Sequence, residues 1–257
     1  MDLITRLRGP IGCRLLIVYR IDLRALAALL PDELEPAPFK GYGLAALVYT
    51  HRIRASGRWW QAPPSQGGDF LTLRFTALAK TGAPKRAAVW IPRRETSSSL
   101  SARMASLLLP GEHQRCEVVL EQTDCTLELR VQSTRGEELY LRAGLACELR
   151  GSLFAHAREL EHWLAEPRVV RPKSPFEALG PDFDRSALAS GRLAAEPIEV
   201  RELRAHPFDD AQVFAPGTAE LDSCWRLVPA RGAREPLPAR LDALRGVIGA
   251  PASTPPA

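Results

Sequence analysis

Two adjacent ionisable residues, Glu112 and His113, are the first candidates for chemistry in this sequence. A histidine beside a carboxylate can transfer protons near neutral pH, so the pair could serve as a general acid and base. The alternative is an ordinary loop histidine next to a solvated glutamate. The sequence leaves both interpretations open.

Two arginines, Arg94 and Arg103, are candidates for binding an anion. A guanidinium inside a pocket can hold a carboxylate or phosphate through two parallel hydrogen bonds. Arginine is abundant here, because only four of the 34 lysine and arginine residues are lysines. Most arginines must therefore lie on the surface, and each of these two is either an anion contact or a surface residue.

Adjacent tryptophans, Trp59 and Trp60, lie in a segment rich in glycine and proline that spans residues 55–68. This composition predicts a loop, and two large aromatic rings on a loop could form a lid or an aromatic wall over a ligand. They could equally anchor the loop to the core. Trp90 and Trp225 fall within predicted strands, which favours core positions for both.

The sequence gives little support for a metal or a nucleotide cofactor. Glu159 and His162 have the i, i+3 spacing of carboxylate-bridged metal sites, but without a second copy a solvated helix face is the more common explanation. The glycine-rich nucleotide-binding patterns, the nucleophile elbow and the zinc-protease motif are absent from the sequence. The five cysteines are dispersed without a close pair, which predicts reduced core residues. We therefore expect no metal and no cofactor.

Composition favours a folded protein with a sizeable core. Of the 257 residues, 46% are hydrophobic, yet no apolar run reaches the roughly 20 residues that a membrane span requires. The apolar stretch 15–19 is too short for an export signal, so we expect a cytoplasmic location and no membrane contact. The net charge of +4 is mild and arginines alternate with acids, which argues against nucleic-acid binding. We expect one domain over residues 1–249 and a disordered proline-rich tail over 250–257.

Hydrophobic patterns along the chain predict many strands and a few helices. A buried strand over 13–20 precedes a short helix that Asp22 caps and Pro31 ends. Further helices are predicted over 97–109 and 152–166. The remaining strands are predicted over 42–54, 69–80, 86–92, 115–122, 125–133, 138–150, 198–205 and 224–229. Successive strands with tight turns favour antiparallel pairing, which predicts a mainly-β (α+β) fold.

Four short stretches resemble the acetoacetate decarboxylase superfamily, and the last of them resembles its uncharacterised YqjF-like branch. The stretches are Tyr19-Arg20-Ile21-Asp22 with Leu30-Pro31-Asp32-Glu33-Leu34-Glu35, Gly68-Asp69-Phe70-Leu71, the helix with Arg103 followed by Pro110, and Leu221-Asp222-Ser223. The resemblance implies a cone-like antiparallel β-barrel with peripheral helices and an internal pocket. It also implies that members of this group are often oligomeric, so a homo-oligomer is possible.

The departures from that family concern its chemistry. Decarboxylases of the family carry a Pro-Lys-Lys segment whose lysine forms a Schiff base, whereas here Pro110 precedes Gly111 and Glu112. The sequence has no lysine between Lys85 and Lys173. The positions of the family's pocket carboxylates are occupied here by Leu44-Ala45-Ala46 and by the Trp59–Trp60 loop. We therefore expect no Schiff-base decarboxylase activity.

Three functions remain as hypotheses. The first is a protein that binds a small molecule, a carboxylate or a keto compound, inside the barrel. The second is an enzyme of non-imine acid–base chemistry, in which Arg103 orients the substrate while His113 or Glu112 transfers protons. The third is a protein-interaction module that docks through the Trp59–Trp60 loop.

Overall fold

A computed structural model describes residues 11–52, 68–80, 85–108, 111–123, 125–146, 149, 151–165, 169–171 and 193–229. Three helices are present in this part of the chain: α1 (Leu23–Leu29), α2 (Ser99–Leu108) and α3 (Ala157–Ala165). The strands are β1 (Ile11–Ile21), β2 (Leu34–Pro36), β3 (Gly43–Arg52), β4 (Gly68–Ala79), β5 (Ala87–Thr96), β6 (Glu112–Gln122), β7 (Thr126–Ser133), β8 (Gly136–Leu145), β9 (Val169–Arg171), β10 (Leu193–Ala205) and β11 (Ala219–Pro229). The predicted tail over 250–257 lies outside the described residues, as does the Trp59–Trp60 loop.

Nine of these strands close into a barrel in the order β1-β3-β4-β5-β6-β7-β8-β10-β11, with β11 pairing back to β1. This confirms the predicted barrel with a few helices. One detail differs, because β5 and β6 pair in parallel while the other neighbours in the barrel are antiparallel. The helix α2 joins β5 to β6 and supplies the crossover that a parallel pair needs.

Alternation along the strands divides the apolar residues into an inner and an outer core. The inner core lies inside the barrel and includes residues such as Leu15, Ile17, Leu47, Leu71, Leu73, Leu129 and Leu141. The outer core lies between the barrel wall and α3, and it includes Leu16, Val18, Val48, Trp163, Leu164 and Trp225. Strands β1 and β3 are buried on both faces, which explains their near-continuous apolar sequences.

The predicted unit of strand and capped helix is confirmed. The Asp22 carboxylate accepts hydrogen bonds from the backbone amides of Arg24 and Ala25 at 2.8 and 3.1 Å, which caps α1. The helix buries Leu26 and ends at Leu29. Leu30 is extended because a residue before proline is excluded from the helical conformation.

The helix predicted over 152–166 is shorter in the structure, since α3 begins at Ala157. The Asp222 side chain on β11 explains the difference: its oxygens accept hydrogen bonds from the Ser152 hydroxyl at 2.8 Å and the Leu153 amide at 2.7 Å. These bonds hold the segment before α3 in an irregular conformation. None of the described helices is long and apolar enough to cross a membrane.

Gly111 directly precedes β6, and the surrounding atoms leave no room for a side chain at this position. Its φ is +92°, and a Cβ atom would lie 2.7 Å from the Pro92 carbonyl oxygen and 2.9 Å from that of Ile91. Glycine is required here both by its backbone conformation and by this close approach of two strands. The position directly after Pro110 therefore cannot carry a lysine without moving the backbone of β5.

We predict that Gly111→Ala destabilises the protein more than Gly41→Ala. Gly41 has nearly the same φ, +89°, but open space around its Cα, so its substitution adds only backbone strain of about 1–2 kcal/mol. Gly111→Ala adds a backbone clash that we expect to cost a further ~1–3 kcal/mol. Urea unfolding of the two variants measures the difference. Equal losses would show that the contact with Pro92 is not restrictive.

Candidate functional site

Strand β5 directs two charged side chains into the barrel. Arg93 pairs with Leu73 and Glu95 pairs with Leu71, and both leucines belong to the inner core. Directly opposed residues of neighbouring strands share a face, so Arg93 and Glu95 also face inward. Their side chains are only 12% and 4% exposed.

A third charged residue, Glu138, completes this group from β8. It is the extra residue at an irregularity in the β7–β8 pairing, where Val131 is opposite Leu139 but Gln132 is opposite Glu137. Its carboxylate accepts a hydrogen bond from the Ser133 hydroxyl at 2.5 Å and forms a short ion pair with Arg93. Its side chain is 3% exposed. The inner polar group therefore contains two buried carboxylates.

Arg93 forms ion pairs with both carboxylates of this group. Its Nη2 lies 3.0 Å from Glu95 Oε1 and also contacts Glu138 Oε2, while its Nη1 donates to His206 Nδ1 at 3.0 Å. The side chain of His206 is 43% exposed, so this contact brings the group to the barrel surface. Two buried carboxylates thus share a single guanidinium, which leaves a surplus of negative charge if both are ionised.

Burial raises the pKa of Glu95 to about 7, which places its titration in the physiological range. The positive charge of Arg93 lowers this pKa and the negative charge of Glu138 raises it, so desolvation dominates. A carboxyl group that is partly protonated near neutral pH can either donate or accept a proton. Such a pKa is what general acid–base chemistry requires.

A second polar group lies in the barrel on β3 and β4. Asp69 Oδ1 accepts a hydrogen bond from the Tyr49 hydroxyl at 2.7 Å and lies 2.8 Å from His51 Nδ1. The Asp69 backbone amide donates to the Ser97 hydroxyl at 2.9 Å. Burial raises the pKa of Asp69, but the hydrogen bonds from His51 and Tyr49 outweigh it, so the net pKa is lowered. Asp69 is therefore held as an ionised acceptor.

Cys116 on β6 connects the two groups. Burial is the main reason that the pKa of its thiol is raised to about 12, and the negative charges of Glu95, Asp69 and Glu138 contribute to this rise. Asp69 and Leu71 lie on the same inner face of β4, and Leu71 is opposite Glu95, so the two groups are diagonal neighbours in the barrel. The barrel interior therefore contains one polar region with Tyr49, His51 and Asp69 on one side and Arg93, Glu95 and Glu138 on the other.

This region combines groups that can bind and protonate a carbonyl oxygen. Protonated Glu95 and Arg93 are hydrogen-bond donors, and the carboxylates of Asp69 and Glu138 are acceptors, with Asp69 already accepting from the Tyr49 hydroxyl. Lysine is absent from the described interior, because Lys40, Lys80 and Lys85 are exposed. Lys173 lies outside the described residues.

Of the residues singled out from the sequence, Glu112 borders this region. It is opposite Arg93 in the β5–β6 pairing and so shares the inward face, but its side chain is 53% exposed and pairs with Arg135 at 2.8 Å. His113 is half-buried and points to the other face of β6. Arg94 lies between Arg93 and Glu95 and so faces outward; its Nη1 donates to the Ile91 carbonyl at 3.2 Å. Burial lowers the pKa of Arg94 to about 10.

Arg103 is exposed on α2. Trp59 and Trp60 lie outside the described residues. The structure thus does not bring the predicted candidates together, and their roles in binding or catalysis stay predictions. On α3, Glu159 accepts a hydrogen bond from the Ala155 amide and pairs with Lys40, and the described residues include no cluster that could hold a metal ion.

Sequence reasoning missed the residues that face the interior. The sequence contains a pattern that identifies such residues, namely polar side chains at alternating positions of apolar strands. Examples are Tyr49 and His51 on β3, and Arg93 and Glu95 on β5. Because the side-chain period of a strand is two, such pairs share a face with the buried residues beside them. The sequence analysis favoured Arg94 over Arg93. Neighbouring residues of a strand point to opposite faces, so this difference of one residue places the predicted anion contact on the outer face of β5.

Comparisons with known proteins identify the fold. No family model matches the sequence, and no curated protein matches it. The structure is similar to acetoacetate decarboxylase from Legionella pneumophila, with a TM-score of 0.51 and 10% identity over 87% of this chain and 86% of that chain. It is also similar to an enduracididine biosynthesis enzyme in complex with pyruvate, with a TM-score of 0.48 and 10% identity over 85% of this chain and 87% of that chain. The first likeness shows that the chain has an acetoacetate decarboxylase-like fold.

We predict that Glu95→Gln changes how stability depends on pH. The pKa of Glu95 is about 7 in the folded state and 4.5 ordinarily, so the folded state retains the proton over this range while the unfolded state loses it. Wild-type stability should therefore fall, relative to the variant, as pH rises from about 4.5 to about 7. The change is on the order of 3 kcal/mol, since one pKa unit corresponds to about 1.4 kcal/mol.

Urea unfolding at several pH values measures this difference. Glu117→Gln, which changes an exposed glutamate on β6, serves as the control and should follow the wild type. Parallel curves for wild type and Glu95→Gln would contradict the assigned burial and protonation of Glu95.

Proposed function

We propose that this protein binds a small keto compound inside the barrel without forming an imine. The observation that carries the proposal is the buried group of Arg93, Glu95 and Glu138, in which one carboxyl can hold a proton near neutral pH. A protonated Glu95 can donate a hydrogen bond to the carbonyl oxygen of a ligand. The acetoacetate decarboxylase-like barrel supports this location.

The interior charges favour a keto compound over a simple carboxylate. Even with Glu95 protonated, the carboxylates of Asp69 and Glu138 outnumber the guanidinium of Arg93. Arg226, which also faces the interior, is paired with Glu196. An anionic ligand placed among them would experience repulsion in a region of low dielectric constant. A neutral carbonyl compound meets hydrogen-bond donors without that repulsion.

The proposal that no imine forms is supported by two observations. Gly111 stands where the family's lysine segment begins, and a side chain there would collide with the Pro92 backbone. The described lysines are exposed on the surface. A nucleophilic amine inside the barrel would have to come from residues outside the described part of the chain.

A second candidate function is acid–base catalysis on the same class of compound, favoured by the raised pKa of Glu95. In its ionised form Glu95 could remove a proton next to a carbonyl group, with Arg93 stabilising the negative charge that develops on oxygen. Exchange of the ligand's α-protons with solvent deuterium separates the two functions, since binding alone leaves these protons in place. The third hypothesis, docking through the Trp59–Trp60 loop, stays a prediction.

We predict that acetone raises the melting temperature of the wild type and that acetate, which is similar in size, does not. Binding to the folded state stabilises it by mass action, and each kcal/mol corresponds to roughly 2–4 °C for a chain of this size. The acetone effect should weaken as pH rises through 7, because ionised Glu95 no longer donates a hydrogen bond. Thermal unfolding with both ligands at pH 6 and pH 8 measures the effect.

Two variants serve to locate the site. Glu95→Gln keeps a hydrogen-bond donor but does not titrate, so its acetone effect should be the same at both pH values. Arg103→Ala removes an exposed guanidinium on α2 and should behave as the wild type. Loss of the effect in Arg103→Ala would move the site to α2, and equal effects of acetone and acetate would contradict the charge argument.

A further inference from the structure

One row of interior side chains enters the proposal above only through the charge of Asp69. Strands β1, β3 and β4 are neighbours, and their register places Cys13 opposite His51 and His51 opposite Asp69. Opposed residues on one face have Cβ atoms roughly 4.5–5.5 Å apart. A thiol, an imidazole and a carboxylate therefore lie side by side across three strands of the barrel.

The histidine of this row is oriented as a base. Its Nδ1 lies 2.8 Å from Asp69 Oδ1, and since the lowered pKa keeps Asp69 ionised, Nδ1 is the nitrogen that carries the proton. The unprotonated Nε2 is then the nitrogen that can accept a proton. The hydrogen bond from Tyr49 to the same carboxylate oxygen fixes Asp69 in this position.

The thiol needs such a base. Cys13 is a free, half-buried cysteine, and burial raises its pKa to about 11, so it is protonated at neutral pH. The positive charge of Arg226 lowers this pKa and the negative charge of Asp69 raises it. A protonated thiol becomes a nucleophile only if a neighbouring group takes its proton.

Arg226 lies on the other side of Cys13, on β11. It is opposite Leu15 and so shares the interior face with Cys13. Its Nη2 pairs with Glu196 at 2.7 Å, while its buried Nε has no hydrogen-bond partner among the described residues. A guanidinium next to the sulfur can stabilise an oxygen that becomes negative when the sulfur attacks a carbonyl carbon.

We propose that Cys13 adds reversibly to the carbonyl carbon of the bound ligand, with His51 as the base that takes the thiol proton. The S–H proton moves to His51 Nε2 as sulfur forms a bond to carbon, and the carbonyl π electrons move to oxygen. His51 then returns the proton to that oxygen, which gives a neutral hemithioketal. No other reactant is needed, and reversal of the same steps releases the ligand.

The row is accessible to small molecules. His51 is 29% exposed and Asp69 is 19% exposed, and Glu95 and Glu138 lie deeper, at 4% and 3%. Because Cys116 lies near both polar groups, a ligand that binds to Glu95 and a ligand that Cys13 attacks would occupy the same part of the barrel interior. The inference rests on the proposed binding of a keto compound and adds a covalent step to it.

The rate at which iodoacetamide labels each cysteine tests the inference, with peptide mass spectrometry as the readout. Cys125 is exposed and serves as the internal control in every sample. We expect His51→Gln to slow labelling of Cys13 by about 10- to 100-fold, because general-base assistance typically contributes such factors or more. Labelling of Cys125 should not change. Acetone should slow labelling of Cys13 and leave Cys125 unaffected.

The outcomes separate this inference from the proposed function. If acetone raises the melting temperature of Cys13→Ser as much as that of the wild type, and does not protect Cys13, binding stands and the thiol step is wrong. If acetone has no effect on melting or on labelling, both fail. Should His51→Gln not fold, Asp69→Asn and the protection of wild-type Cys13 by acetone decide the question, and unchanged labelling in both overturns the inference.

Discussion

The pairing of β5 with β4 on one side and β6 on the other is the constraint on which the rest depends. It closes the barrel, and it also brings Arg93 and Glu95 into the interior. Charged groups there are stable only when they are paired, and Arg93 meets this need by contacting both Glu95 and Glu138. Removing one partner of such a buried group typically costs 3–5 kcal/mol. Closure of the barrel and formation of the polar group therefore depend on the same strand pairings.

The two faces of the barrel wall carry different kinds of side chain. The outer face of β1 and β3 packs against α3, and the Asp222 carboxylate fixes the segment before that helix. The inner face carries the polar groups on strands rather than on loops. Side chains on a closed sheet have little freedom, so their positions are set before a ligand arrives. Such preorganisation is what both binding and acid–base chemistry require.

Much of the fold was predictable because it depends on local patterns. The strand before Asp22, the capped helix and the meander from β6 to β8 follow from composition, alternation and turn residues. The parallel pairing of β5 with β6 was not predictable in this way, because it joins strands across α2. The site residues depend on which face of each strand is inside. Alternation places Arg93 and Glu95 on one face of β5 and Arg94 on the other, but it does not say which of the two faces is inside. Glu138 enters the interior through an irregular pairing that alternation cannot predict.

The most direct test of the account is a ¹³C NMR spectrum of carbonyl-labelled acetone with the protein, before and after addition of borohydride. The account predicts that the protein alters the label's signal, either as a bound ketone or as the tetrahedral carbon of a thiol adduct, and that borohydride traps nothing on a lysine. Imine formation would instead leave a stable isopropyl group on a lysine, which mass spectrometry would locate. That result, or a signal that the protein leaves unchanged, would contradict the binding of a keto compound without an imine.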